Sequence, residues 1–124
     1  MKKTNVSITF ILSLFFAVNQ VFAQSELKQM PADQRAKLQT ERMTASLKLD
    51  AEQTQKVGQI NLKYAQKMDP VIEGSGSKMS RFKAFKSINK DKEAELKGVL
   101  TTQQFQQFQK QQQEMKDKLK EQRR

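Results

Sequence analysis

The sequence predicts a small all-α protein, and three observations carry that expectation. Its apolar residues recur at helical spacing, no stretch alternates apolar and polar residues over a strand's length, and β-branched residues are sparse. Glycine and proline, four and two in the whole chain, fall mostly between the periodic segments.

The first element is a helix from Pro31 to Leu47, with Ala36, Met43 and Leu47 on one side. Pro31 suits a first helical turn, where its missing N–H is not needed. A second helix follows Asp50, with Val57, Ile60, Tyr64 and Met68 at helical spacing and Leu62 and Ala65 widening the face. Asp69-Pro70 is expected to end or bend it, because the residue before proline avoids the helical region. Glu73-Gly74-Ser75-Gly76-Ser77 is a turn where two helices fold back on each other. A third stripe of Phe82, Phe85, Ile88, Leu96 and Val99 is broken around Lys92. The last helix places Phe105, Phe108, Gln112, Met115 and Leu119 in a 3-4-3-4 seam. Eight glutamines lie among residues 103–113, and the phenylalanine spacing argues for helix there over a disordered spacer.

The first 23 residues read as a secretory signal. Met1-Lys2-Lys3 is a positive n-region, Val6 to Val18 an apolar stretch, and Val21-Phe22-Ala23 a cleavage site. The competing reading is an uncleaved anchor, for which the apolar run is short against the roughly 20 residues that span a bilayer. Export to the periplasm is the expectation, with residues 24–124 forming a single domain and 24–30 fraying. There is no cysteine, so neither a disulfide nor a thioether-linked lipid is possible.

Removing the signal sharpens the composition. Two of the 23 Lys and Arg fall in residues 1–23 and none of the 13 acids, which leaves 21 against 13, or +8 over 101 residues. Only 18 of those 101 are Leu, Ile, Val or Phe, a proportion at which a charged chain is open to disorder. The alternative is a thin helical structure that completes its core with a second copy.

One motif occurs twice. Leu49-Asp50-Ala51-Glu52-Gln53 opens the second helix and Leu100-Thr101-Thr102-Gln103-Gln104 the last. Each is a capping box: Asp50 or Thr101 accepts from a first-turn N–H, and Gln53 or Gln104 reaches back to the cap's own N–H. The leucine before each cap can staple onto the fourth helical residue, Phe105 in the second copy and the poorer Thr54 in the first.

Two such motifs flanking a helical hairpin, in a basic chain with a signal, resemble the Spy/CpxP family of periplasmic proteins, whose signature is a pair of Leu-Thr-x-x-Gln motifs. The resemblance covers roughly residues 31–120. It implies a helical fold and an antiparallel homodimer. It also implies ATP-independent chaperone activity toward unfolded exported proteins or, in other members, damping of an envelope-stress sensor kinase. Asp50 departs from the motif's threonine while keeping the cap. A related zinc-binding branch is a poor guide, since the chain has neither His nor Cys to offer that metal.

The same absence removes the commonest general base and the best nucleophile, so no enzymatic activity and no cofactor are expected. Positive charge is the other candidate for function. Lys78, Arg81, Lys83, Lys86, Lys90 and Lys92 crowd the third helix, and Lys116, Lys118, Lys120, Arg123 and Arg124 the last turns. Cations favour a helix C-terminus but run against the dipole at an N-terminus. Met79, Arg81, Phe82, Lys83, Phe85 and Lys86 are therefore the candidate client-binding residues. The competing reading is that Phe82 and Phe85 are simply core. Three functions follow: a binder of unfolded exported chains, a partner of a sensor kinase, or a binder of anionic surfaces whose membrane contact is peripheral. Export argues against nucleic acid as the ligand.

Overall fold

The computed structural model describes residues 29–74 and 76–124. The expected signal and most of the expected frayed segment therefore lie outside the described residues. Those described form four helices and no strand: α1 (Ala32–Leu47), α2 (Ala51–Ile72), α3 (Lys78–Val99) and α4 (Thr102–Gln122). None of the described helices is long and apolar enough to cross a membrane.

α2 is the central helix. α1 packs along it, α3 returns along it after the turn at 73–77, and α4 meets the others through its first half. The core follows from the apolar stripes. Met43 and Leu47 of α1, Val57 of α2, Leu96 of α3 and Phe108 of α4 close around Leu49 and Leu100, the leucines that precede the two caps. Ile60, Val99 and Phe105 pack against this cluster from its edge. Phe105 and Phe108 stack with ring centroids 6.2 Å apart.

Helix limits have local causes. Pro31 stands just ahead of α1 rather than inside it, and its carbonyl accepts from Arg35 N–H at 3.1 Å. α1 stops at Lys48, which takes a left-handed conformation (φ 54°), while Leu49 N–H returns to Thr44 O at 3.2 Å. α2 passes through Pro70 and ends at Ile72, so Asp69-Pro70 does not terminate it. This close to the end, proline removes one helical hydrogen bond, and the carbonyl that loses its donor belongs to Gln66, an exposed residue. Gly74 and Gly76 have φ of 86° and 89°, a conformation that favours glycine, and they make the α2–α3 turn.

Two sequence expectations for burial change. Leu62 is exposed and Asn61 is fully buried in its place. At about 100° per residue Leu62 stands roughly 140° round from Val57, outside the buried face. Asn61 instead faces α1, donating to Thr40 Oγ1 at 3.0 Å and to Met43 Sδ at 3.6 Å. Gly58 also lies against α1 there, and a Cβ at that position would make an ordinary contact, 3.7 Å from Thr40 Cγ2. The seam of α4 is likewise buried only in its first half, and Met115 remains 56 % exposed.

Ion pairs tie α2 to both of its long neighbours. Arg35 of α1 pairs with Asp69 of α2 and also donates to Ala65 O at 3.0 Å. Lys63 of α2 pairs with Glu95 of α3. The Tyr64 side chain is buried beside this pair, and Lys63 and Lys67 lie 5.0 and 5.1 Å from its ring centroid. The hydrogen bond from Lys63, and then the neighbouring Tyr64 phenol, hold Glu95 below the usual carboxylate range. The neighbouring Glu95 carboxylate, then burial, push the Tyr64 phenol up to about 12.

A folded-state pKa above the unfolded value of about 10 means that native Tyr64 keeps its proton after the unfolded residue loses it. Its contribution is whole below pH about 10 and is lost as pH rises toward about 12. As the chain has one Tyr and no Trp, tyrosinate absorbance follows this residue alone. The expected midpoint is near 12 in buffer and near 10 in denaturing urea. Coincident midpoints would show that the Glu95 contact does not form.

Candidate functional site

Both capping boxes form. Gln53 N–H donates to Asp50 Oδ1 at 2.7 Å, and Asp50 N–H donates to Gln53 Oε1 at 3.2 Å. In the second copy Gln104 N–H donates to Thr101 Oγ1 at 3.2 Å, and Thr101 N–H donates to Gln104 Oε1 at 2.9 Å. Leu100 is buried with Phe105 packed against the cluster that contains it, as the staple requires. Thr54, at the equivalent place in the first copy, instead lies 3.3 Å from Thr44 Oγ1.

The structure adds what the spacing did not show: the two motifs meet. Gln53 Nε2 donates to Gln104 Oε1 at 2.7 Å, and Gln104 Nε2 donates back to Gln53 Oε1 at 3.2 Å. The second amide hydrogens go to carbonyls at the ends of helices. Gln53 Nε2 reaches Val99 O, the last residue of α3, at 3.3 Å. Gln104 Nε2 reaches Leu47 O, the last residue of α1, at 3.2 Å. Each glutamine thus starts its own helix and caps the helix that ends at the other motif. Every donor and acceptor of both amides is used, which makes the pair a closed network rather than two surface caps.

The second group of candidates lies on α3, beside the turn. Met79, Phe82 and Phe85 are 64, 54 and 48 % exposed, so the reading of both phenylalanines as core does not hold within one chain. Lys78, Lys83, Lys86 and Lys90 are also exposed, and Lys86 Nζ stands 5.0 Å from the Phe82 ring centroid. Arg81 departs from this group. Its Nε donates to Val71 O at 3.1 Å, so it fastens the end of α2 to the start of α3. Lys92 also turns to structure, donating to Gln39 Oε1 of α1 at 3.0 Å, and burial pushes its pKa down to about 8. Stretches 74–90 carry no acid, and Glu73 and Asp91 bracket them. Among the described residues no group of His, Cys, Asp and Glu is arranged to hold a metal.

Fold and site together define a small helical protein with two interlocked helix junctions and, apart from them, an exposed basic and apolar helix face. The family described as a domain of unknown function (DUF4890) matches residues 20–124, and the chain belongs to that family. No curated protein and no solved structure matches it.

Proposed function

We propose that this is a periplasmic, ATP-independent chaperone-like protein that holds unfolded exported polypeptides on the first half of α3. The observation that carries the reading is the exposure of Met79, Phe82 and Phe85 among Lys78, Lys83 and Lys86. Large apolar side chains beside cations at the surface of so core-poor a chain favour a binding role. Charge speeds encounter with a client, and the adaptable methionine and aromatic side chains hold it loosely. The likeness of the paired motifs to the Leu-Thr-x-x-Gln signature of the Spy/CpxP family supports the same reading, as does the signal-like start of the chain. A homodimer is part of this proposal.

The test is light scattering from two unrelated aggregating proteins, with the chain added at equimolar amounts and no nucleotide. Protection is expected at low salt and weakens as the screening length drops from about 10 Å at 0.1 M toward about 3 Å at 1 M. Phe82→Ser/Phe85→Ser is expected to abolish protection while leaving the urea midpoint nearly unchanged, because neither ring is in the core. Absence of protection by the unaltered chain would sink the proposal. Recovery of one membrane kinase, rather than many polypeptides, in a pull-down would shift it to a stress regulator.

A further inference from the structure

The exposed face of α3 has a second property, which goes beyond client binding. At about 100° per residue, Lys78, Met79, Phe82, Phe85, Lys86, Asn89 and Lys90 fall within an arc of roughly 140°. The three apolar side chains run along about 9 Å of helix, at 1.5 Å per residue. Lysines flank them, and Lys83 stands at the margin. Residues 78–90 hold five Lys and Arg and no acid. Four of those five are exposed lysines, Arg81 being bound to Val71 O. The face begins at the turn of the α2–α3 hairpin, where Gly74 and Gly76 reverse the chain.

A folded protein partner needs about 800 Å² of complementary surface on each side, and three side chains on a convex helix do not supply it. A lipid surface makes no such demand. Apolar side chains enter the boundary between headgroups and acyl chains, and lysine stems lie over them with the amines raised toward phosphate. Lys86 Nζ, 5.0 Å from the Phe82 ring centroid, shows that cation and apolar side chain share one patch. Lys78, in the first turn of α3, gains at an anionic surface what the helix dipole denies it, and the other exposed lysines add to the attraction.

We propose that the α3 side of the hairpin tip docks on an anionic lipid surface. Met79, Phe82 and Phe85 enter the interface, and Lys78, Lys83, Lys86 and Lys90 face the lipid phosphates. Clients and lipid then compete for one face.

The experiment uses the Phe82→Trp chain, whose tryptophan has no other to mask it, with phosphatidylglycerol-containing vesicles and with pure phosphatidylcholine vesicles. Co-sedimentation and a blue-shifted emission are expected with the anionic vesicles alone. Lys83→Glu/Lys86→Glu is expected to weaken partitioning by more than about tenfold, at about fivefold for each lysine removed. Lys116→Glu/Lys120→Glu, which changes net charge equally, is expected to weaken it several-fold less. Equal losses from the two pairs would reduce the effect to net charge and overturn the proposal. So would sedimentation without an emission shift, release by inorganic phosphate at constant ionic strength, or a fall in native mass of Phe82→Ser/Phe85→Ser, which would give the face to a second copy. Client protection measured on the same variants separates the two readings. Vesicle binding without protection removes the chaperone proposal alone, and protection without vesicle binding removes the lipid proposal alone.

Discussion

Replacing Gln104 by alanine is expected to lower unfolding stability by about 2–3 kcal/mol. One capping box is lost, worth about 1 kcal/mol. Leu47 O and the Gln53 amide also lose their partners, and a buried or half-buried polar group left unpaired costs about 1–3 kcal/mol. Gln53→Ala is expected to cost a similar amount, through Val99 O and the Gln104 amide. The double variant should cost less than the two singles added, by about 1 kcal/mol, since each single breaks the same pair of amide bonds. Urea denaturation of the four proteins measures this coupling. Strictly additive losses would mean that the two caps act separately and that their meeting has no energetic content. A domain of this size has a net stability of about 5–15 kcal/mol, so the node decides a large fraction of it.

Leu96→Ala is expected to have the largest effect of any single truncation, about 3 kcal/mol. Leu96 is fully buried, and it is the point where α3 enters the cluster formed by Met43, Leu47, Val57 and Phe108. The lost transfer energy and the cavity add, because four helices held at capped junctions cannot easily close around the gap. The matched control is Leu62→Ala, which removes the same atoms from an exposed position and should stay within about 0.5 kcal/mol of the parent. A thermal midpoint shift of about 4–8 °C per kcal/mol makes the contrast easy to read. Equal effects at the two leucines would contradict the assignment of the buried face.

The contrast between these leucines shows how far the sequence could be read. Periodicity located all four helices, and the capping boxes located two of their starts to the residue. Ala36, Met43 and Leu47 are all buried, as their spacing requires. Leu62 was misplaced because an apolar side chain was given more weight than its angle, and Asn61 was missed because a buried polar residue carries no hydrophobic signal. Asp69-Pro70 read as an end or a bend of α2 because local preference was weighed without the packed helix on either side of it, and the helix runs on to Ile72. The pairing of Gln53 with Gln104 was beyond reach for another reason. Capping boxes are local, and their spacing along the chain says nothing of whether two of them meet across the fold. For α3, the charge count marked the right segment but could not tell which cations fold back. That Arg81 and Lys92 bind the backbone of α2 and the side chain of Gln39 depends on how the helices sit.

The exchange of caps between the two motifs also bears on how the chain can change length. The junctions are joined by direct contact, so the 51-position separation of Gln53 and Gln104 does not by itself measure out their meeting. Doubling a flexible loop adds only about 0.6 kcal/mol of closure entropy. Residues gained or lost at the Gly74–Gly76 turn would therefore reshape the hairpin's end and leave the amide node as it is. Descendants of such a chain can diversify the part that meets other molecules while inheriting, unchanged, the part that folds.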